Sequence, residues 1–247
     1  MENSLSVALI AGAISILTAA GTIWSSLQSN KNTAAIERLK IENDRRSASE
    51  QREREAARYK EPLLRSAYDL QSRFYNIANQ RFIDVYLANG NDRERTYAVE
   101  NTTFVIAQYF CWSEAFRRGV QFTDLENQSA TKDLIAHQDA IVSLWGTDGL
   151  PRPLRIFAGE QRAIGEALLK EGSKGPECIG YGEFLQKFTP GGNTLIDALK
   201  ADIGALPSQL GQAHDRIRDI QNAMIDLLEI LDPKYLRFPK NKREKIV

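Results

Sequence analysis

Five charged side chains could do chemistry together: Asp69, Arg73, Glu160, Arg162 and Glu166. Carboxylates gathered around arginines can bind an anion, or divide acid and base roles between them when their surroundings push their pKa values apart. Asp69 and Arg73 are four residues apart, and so are Arg162 and Glu166. On a helix that spacing makes a plain ion pair equally well. The five therefore read either as a pocket or as structural networks, and networks are the commoner arrangement.

Other chemistry is thinly represented. Cys111, Cys178, His137 and His214 could supply zinc ligands, but their spacing has nothing of the paired ligand motifs. Gly180-Tyr181-Gly182 lacks the third glycine and the preceding strand of a nucleotide loop, and Walker A, HExxH, GxSxG and CxxC patterns are missing. No cofactor and no metal are expected. Cys111, inside the apolar run TTFVIAQYFCW, reads as a small core hydrophobe, and Cys178 as a reduced loop thiol. The absence of enzyme motifs makes catalysis the less favoured reading.

The elements that must position these residues are uneven in composition. The 247 residues hold 32 Lys+Arg and 32 Asp+Glu, with 43% hydrophobic and 26% charged residues, which excludes a histone-like, acidic-tail, collagen-like or wholly disordered chain. Two cysteines exclude a disulfide scaffold. From Asn3 to Asn30 no residue is charged. The stretch from Ser4 to Leu27 would make a helix of roughly 36 Å, against a hydrocarbon core of about 30 Å. Residues 1–30 are therefore expected to be a transmembrane anchor. A cleaved signal peptide competes, given Ala19-Ala20-Gly21, but MENS lacks a basic residue and the apolar stretch is long. Lys31, Arg38, Lys40, Arg45 and Arg46 follow the stretch and none precedes it. This predicts a single pass with the N-terminus out and the remainder in the cytoplasm. Ala8, Gly12, Ser15 and Ala19 share one helix face, small enough to let a second helix approach closely.

Residues 31–60 carry nine basic and six acidic side chains with no Gly or Pro, and predict a charged, solvated helical spacer. Residues 61–231 predict a helical bundle. A first helix from Pro62 to about Ala88 has Leu63, Ala67, Leu70, Phe74, Ile77, Phe82 and Val85 on its inner face, with Gly90 ending it. A second covers about Arg93 to Arg118, and a third Ser129 to Trp145. Between Gly146 and Gly192 lie ten of the sixteen glycines and four of the eight prolines, an irregular excursion interrupted by a helix near Phe157–Lys170. Short helices follow near Glu183–Phe188 and Thr194–Leu206. Pro207-Ser208 opens the last helix, whose Leu210, Ala213, Ile217, Ile220, Met224, Leu227 and Leu231 form an a/d seam for packing in the bundle or between chains. Residues 232–247 form a basic tail with six basic and two acidic side chains. There Lys240, Lys242 and Arg243 could meet an anionic partner, or the terminus is simply solvated. Strand alternation is scarcely found, so the fold class is all-α.

The phrases EPLLRSAYDLQSRFYNI, NTTFVIAQYFCW and FAGEQRAIGEALL resemble those of uncharacterised bacterial proteins with one N-terminal span. The resemblance covers residues 60–240 and implies a bacterial inner-membrane location and nothing chemical. Three functions fit the residues: a membrane-tethered helical module that oligomerises or recruits a partner, a membrane-lesion effector of a stress or defence response, and an enzyme built on the five charged residues. The expected partners are the membrane, a second copy of the chain or another protein, with nucleic acid disfavoured.

Overall fold

A computed structural model describes residues 24, 36–48, 50, 58–120, 129–172 and 175–247. The chain divides into two units, Met1–Arg54 and Glu55–Val247. In the first, residues 36–48 are helical, with Ile36, Leu39 and Ile41 exposed and Arg46 paired to Glu50 at 3.1 Å. Such an exposed i,i+4 pair adds a few tenths of a kcal/mol, about 0.5 at most. The anchor expected over residues 1–30 lies outside the described residues, apart from Trp24, which is helical and exposed. Among the described residues no helix is long and apolar enough to cross a membrane.

The second unit is all-α apart from one hairpin. Its helices are α1 (residues 58–79), α2 (Asp92–Val120), α3 (Ser129–Gly146), α4 (Ala158–Leu168), α5 (Tyr181–Lys187) and α6 (Thr194–Leu231). Each is explained by local chemistry and a buried face. At the start of α2, Asn91 and Glu94 cap each other: the Glu94 amide donates to Asn91 Oδ1 at 3.0 Å, and the Asn91 amide donates to Glu94 Oε2 at 2.8 Å. Asn193 Oδ1 accepts from the amides of Leu195 and Ile196 and so starts α6. The apolar run of α2 is buried nearly all round, and α2 packs against α4, α5, α6 and the hairpin. The rings of Phe74 from α1 and Phe110 from α2 meet Trp145 of α3 at 5.7 and 5.2 Å between centroids.

The structure corrects two of the expected boundaries. The first helix does not run to Ala88. Arg81 takes a left-handed φ of 55°, and a π-helical turn follows over Ile83–Ala88. The changed period turns Ile83 and Leu87 inward and leaves Val85 exposed, against the expected inner face. Gly90 closes this turn rather than α1, because a Cβ there would meet the Tyr86 carbonyl oxygen at 2.2 Å.

Pro207 does not separate two helices but lies within α6, on its exposed side. Losing one ladder hydrogen bond costs about 3 kcal/mol in an isolated helix. Here Ile203 and Leu206 before it, and Ala213 and Ile217 after it, are buried in the same core and keep the helix continuous. Of the a/d seam, Ala213 to Leu231 is likewise inside the unit and Leu210 is partly buried against the same core, so it is used in packing against α3 and α2.

The Gly/Pro-rich excursion contains a two-stranded antiparallel hairpin, β1 (Leu169–Gly172) and β2 (Gly175–Cys178), with Leu169 opposite Cys178. Gly175, at φ 114°, supplies a conformation that an L side chain resists. The hairpin follows α4 without a break.

The tail closes on the body of the unit. Asp232, just past α6, accepts from the amides of Leu236, Arg237 and Phe238, and its Oδ2 takes Nη2 of Arg243 at 2.5 Å. Burial alone would raise the Asp232 pKa, but three N–H donors and the Arg243 charge hold it below the usual carboxylate range. Tyr68 of α1 stacks on Phe238, Tyr75 donates to Glu244 at 2.8 Å, and Ile246 is buried.

Candidate functional site

The C-terminal third of α2 carries Glu114, Arg117 and Arg118 towards α4. Glu114 is almost fully buried, yet it is ionised because two guanidinium groups embrace it. Arg117 donates to both its oxygens, at 2.8 and 2.6 Å, and Arg118 Nε to Oε1 at 2.6 Å. Burial works to raise the Glu114 pKa, and the hydrogen bonds and charges of Arg117 and Arg118 overcome it, leaving a net lowering. Arg118 also reaches Glu166 of α4 at 2.6 Å, so one arginine bridges two helices.

The helices come this close because residue 165 is glycine. A Cβ there would lie 2.6 Å from the Phe110 carbonyl oxygen. The neighbouring Gln161 is buried, and its amide nitrogen donates to the carbonyls of Val142 and Ile156 at 3.0 and 2.8 Å, tying α4 to α3.

Between α2, α3 and α4 lies a cavity of about 240 Å³. Its wall is chiefly apolar, with Tyr109, Phe116, Ile135 and Val142, while Glu114, Arg117, Asp139 and Arg162 supply charge. Its chemistry suits the holding of an apolar group beside a fixed ion pair.

The five charged residues of the sequence reading are distributed, and no hydrogen bond or ion pair among the described residues joins two of them. Asp69, on α1, has its carboxyl pushed up by desolvation against the opposing charge of Arg65. Arg73 turns away from Asp69: its Nη2 donates to Asn101 Oδ1 at 2.5 Å, and its guanidinium lies 4.2 Å over the Phe82 ring. Glu160 accepts from the Phe157 amide at 2.9 Å and caps the start of α4. Arg162 lines the cavity and Glu166 pairs with Arg118 rather than with Arg162.

In the tail, Lys240 and Lys242 are exposed on a short 3-10 turn, whereas Arg243 is buried against Asp232 and is not presented to an anion. The small-residue face Ala8, Gly12, Ser15 and Ala19 lies outside the described residues. No group of three or more His, Cys, Asp or Glu able to hold a metal occurs among the described residues.

Sequence reasoning passed over Glu114 as a partner of Arg117 and Arg118, although their i+3 and i+4 spacing was visible. It also missed Arg216 of α6, which is fully buried. Its guanidinium donates to the carbonyls of Leu144, Trp145, Thr147 and Pro151 at 2.6 to 3.1 Å, closing the C-terminus of α3. Burial lowers the Arg216 pKa, Arg155 adds to the lowering, and Asp148 opposes it.

The chain matches no protein-family model, no curated protein and no solved structure.

Proposed function

We propose that the chain is a membrane-tethered helical interaction module on the cytoplasmic face of a bacterial inner membrane, which assembles with its own copies or recruits a protein partner. The observation that carries the reading is the charge-free stretch from Asn3 to Asn30, followed by basic residues and a separately folded helical unit. The α6 seam is buried within the helical unit, and the reading therefore places assembly elsewhere. Self-association uses the small-residue face of Ala8, Gly12, Ser15 and Ala19, and a partner uses the surface of the helical unit.

The test is to express the full chain in bacteria and follow it through an alkaline wash of membranes, protease protection, and cross-linking with native mass determination. The expected result is a wash-resistant protein whose helical unit is digested only from the cytoplasmic side. Oligomers should weaken several-fold with Gly12→Leu, or a partner should co-purify stoichiometrically. Release by the wash, or strict monomers with no partner, would overturn the reading. Collapse of membrane potential on overexpression, relieved by Gly12→Leu, would replace it with the lesion effector.

A further inference from the structure

We propose that Cys111 and Cys178 form a reversible disulfide, in which Cys178 reacts first with a hydroperoxide and Cys111 resolves the product. Both are free thiols, one within α2 and the other at the end of β2. β2 packs directly on α2, and the two residues belong to the same core. Both backbones are held from behind. The Ile179 amide donates to the Leu168 carbonyl at 3.0 Å beside Cys178, and Gly165 admits α4 against the backbone of Phe110 and Cys111. A side-chain hydrogen bond with Cys178 is the largest cause pushing the Cys111 thiol up, followed by burial and the Cys178 charge, while the charge of Arg118 opposes them.

Exposure divides the labour. Cys111 has no exposed surface, whereas Cys178 is only half-buried and open to a small oxidant. In the first step the Cys178 thiolate attacks one peroxide oxygen and the O–O bond breaks. The other oxygen departs as water or an alcohol after taking a proton, and Cys178 becomes a sulfenic acid. The charge of Arg118 favours the Cys111 thiolate against its burial. In the second step the Cys111 sulfur attacks the Cys178 sulfur, the S–O bond breaks, and the oxygen leaves as water with the Cys111 proton. Two thiols lose two electrons in all, and the hydroperoxide gains them. A dithiol reductant restores both thiols by exchange. Glu114 lies one turn beyond Cys111 on α2, so the cross-link forms beside the Glu114–Arg118–Glu166 bridge.

The full chain, purified in detergent, is titrated with hydrogen peroxide, alkylated, and mapped by peptide mass without reduction. The expected product is an intramolecular Cys111–Cys178 link that raises the thermal midpoint and is reversed by dithiothreitol. Cys178→Ser should abolish both the link and any sulfenic acid trapped by dimedone. Cys111→Ser, or Cys111→Ala if the serine is not tolerated in the core, should instead let a dimedone adduct accumulate on Cys178. Two free thiols after peroxide, a Cys178–Cys178 link between chains, or a dimedone adduct that appears first on Cys111 would each overturn the proposal.

Discussion

Arg216 and Glu114 are both ionised and almost wholly buried, and they are neutralised in opposite ways. Arg216 meets backbone carbonyls at the negative end of α3 and no carboxylate. Glu114 meets two arginines whose own side chains are 39% and 42% exposed, at the edge of a cavity. In the first arrangement the guanidinium itself is fully buried, so its donors have no water to turn to. In the second, the arginines can turn to water or to an incoming group at small cost. A charge of the first kind holds the fold together, and a charge of the second kind is available for recognition.

The sharpest way to break that contrast is to remove the sealed charge. Arg216→Met leaves the carbonyls that end α3 without their donor and should cost about 3–5 kcal/mol in chemical denaturation. A loss under about 1 kcal/mol would mean that water reaches the α3 terminus and that the two regions do not differ. Gly165→Ala attacks the open region through its backbone, forcing α4 away from Phe110, and should cost about 1–3 kcal/mol. Asp232→Asn, in the tail, should cost about 2 kcal/mol through the loss of charge-assisted bonds to Arg243 and the amides.

Acid extends the comparison. Asp232 and Glu114 both have pKa values lowered on folding, so their stabilisation is complete above the unfolded carboxylate pKa of about 4. It is lost as the pH falls through the folded values. Asp232→Asn should therefore flatten the acid limb of a stability-against-pH curve. Glu114→Gln should flatten it less and cost only about 1 kcal/mol at neutral pH, since Arg117 and Arg118 can be hydrated. Smallest of all, Arg162→Leu should leave stability within about 0.5 kcal/mol while strengthening the binding of an apolar dye to the cavity, read by fluorescence.

Much of the helical frame was legible in the sequence because a buried stripe writes its period into the chain. The faces of Leu63 to Ile77 and of Ala213 to Leu231 follow from spacing alone, and both are buried as that spacing requires. The features that escaped depend on distant partners. Arg216 looks like one more polar residue on α6 until the end of α3, some 70 residues earlier, is brought to it. Pro207 reads as a boundary because its local cost is visible and the core that offsets it is not. The hairpin hides among glycines, since Leu169–Gly172 and Gly175–Cys178 have no apolar alternation to announce strands. Arg243 looked available to an anionic partner because charge density is local, and only the folding back of the chain assigns it to Asp232. Four of the five charged residues fall in carboxylate–arginine pairs four apart, but Asn101, Phe157 and Arg118 draw Arg73, Glu160 and Glu166 in different directions.

The return of residues 232–246 to α1 also has a meaning in time. Its contacts join residues far apart in the chain, such as Tyr75 with Glu244 and Arg237 with Glu61, and loops of that length close late in folding. Interactions absent from a transition state govern the rate of escape from the native state rather than the rate of arrival. The tail is thus a latch on the lifetime of the folded unit: loosening it should hasten unfolding and leave the refolding rate nearly unchanged.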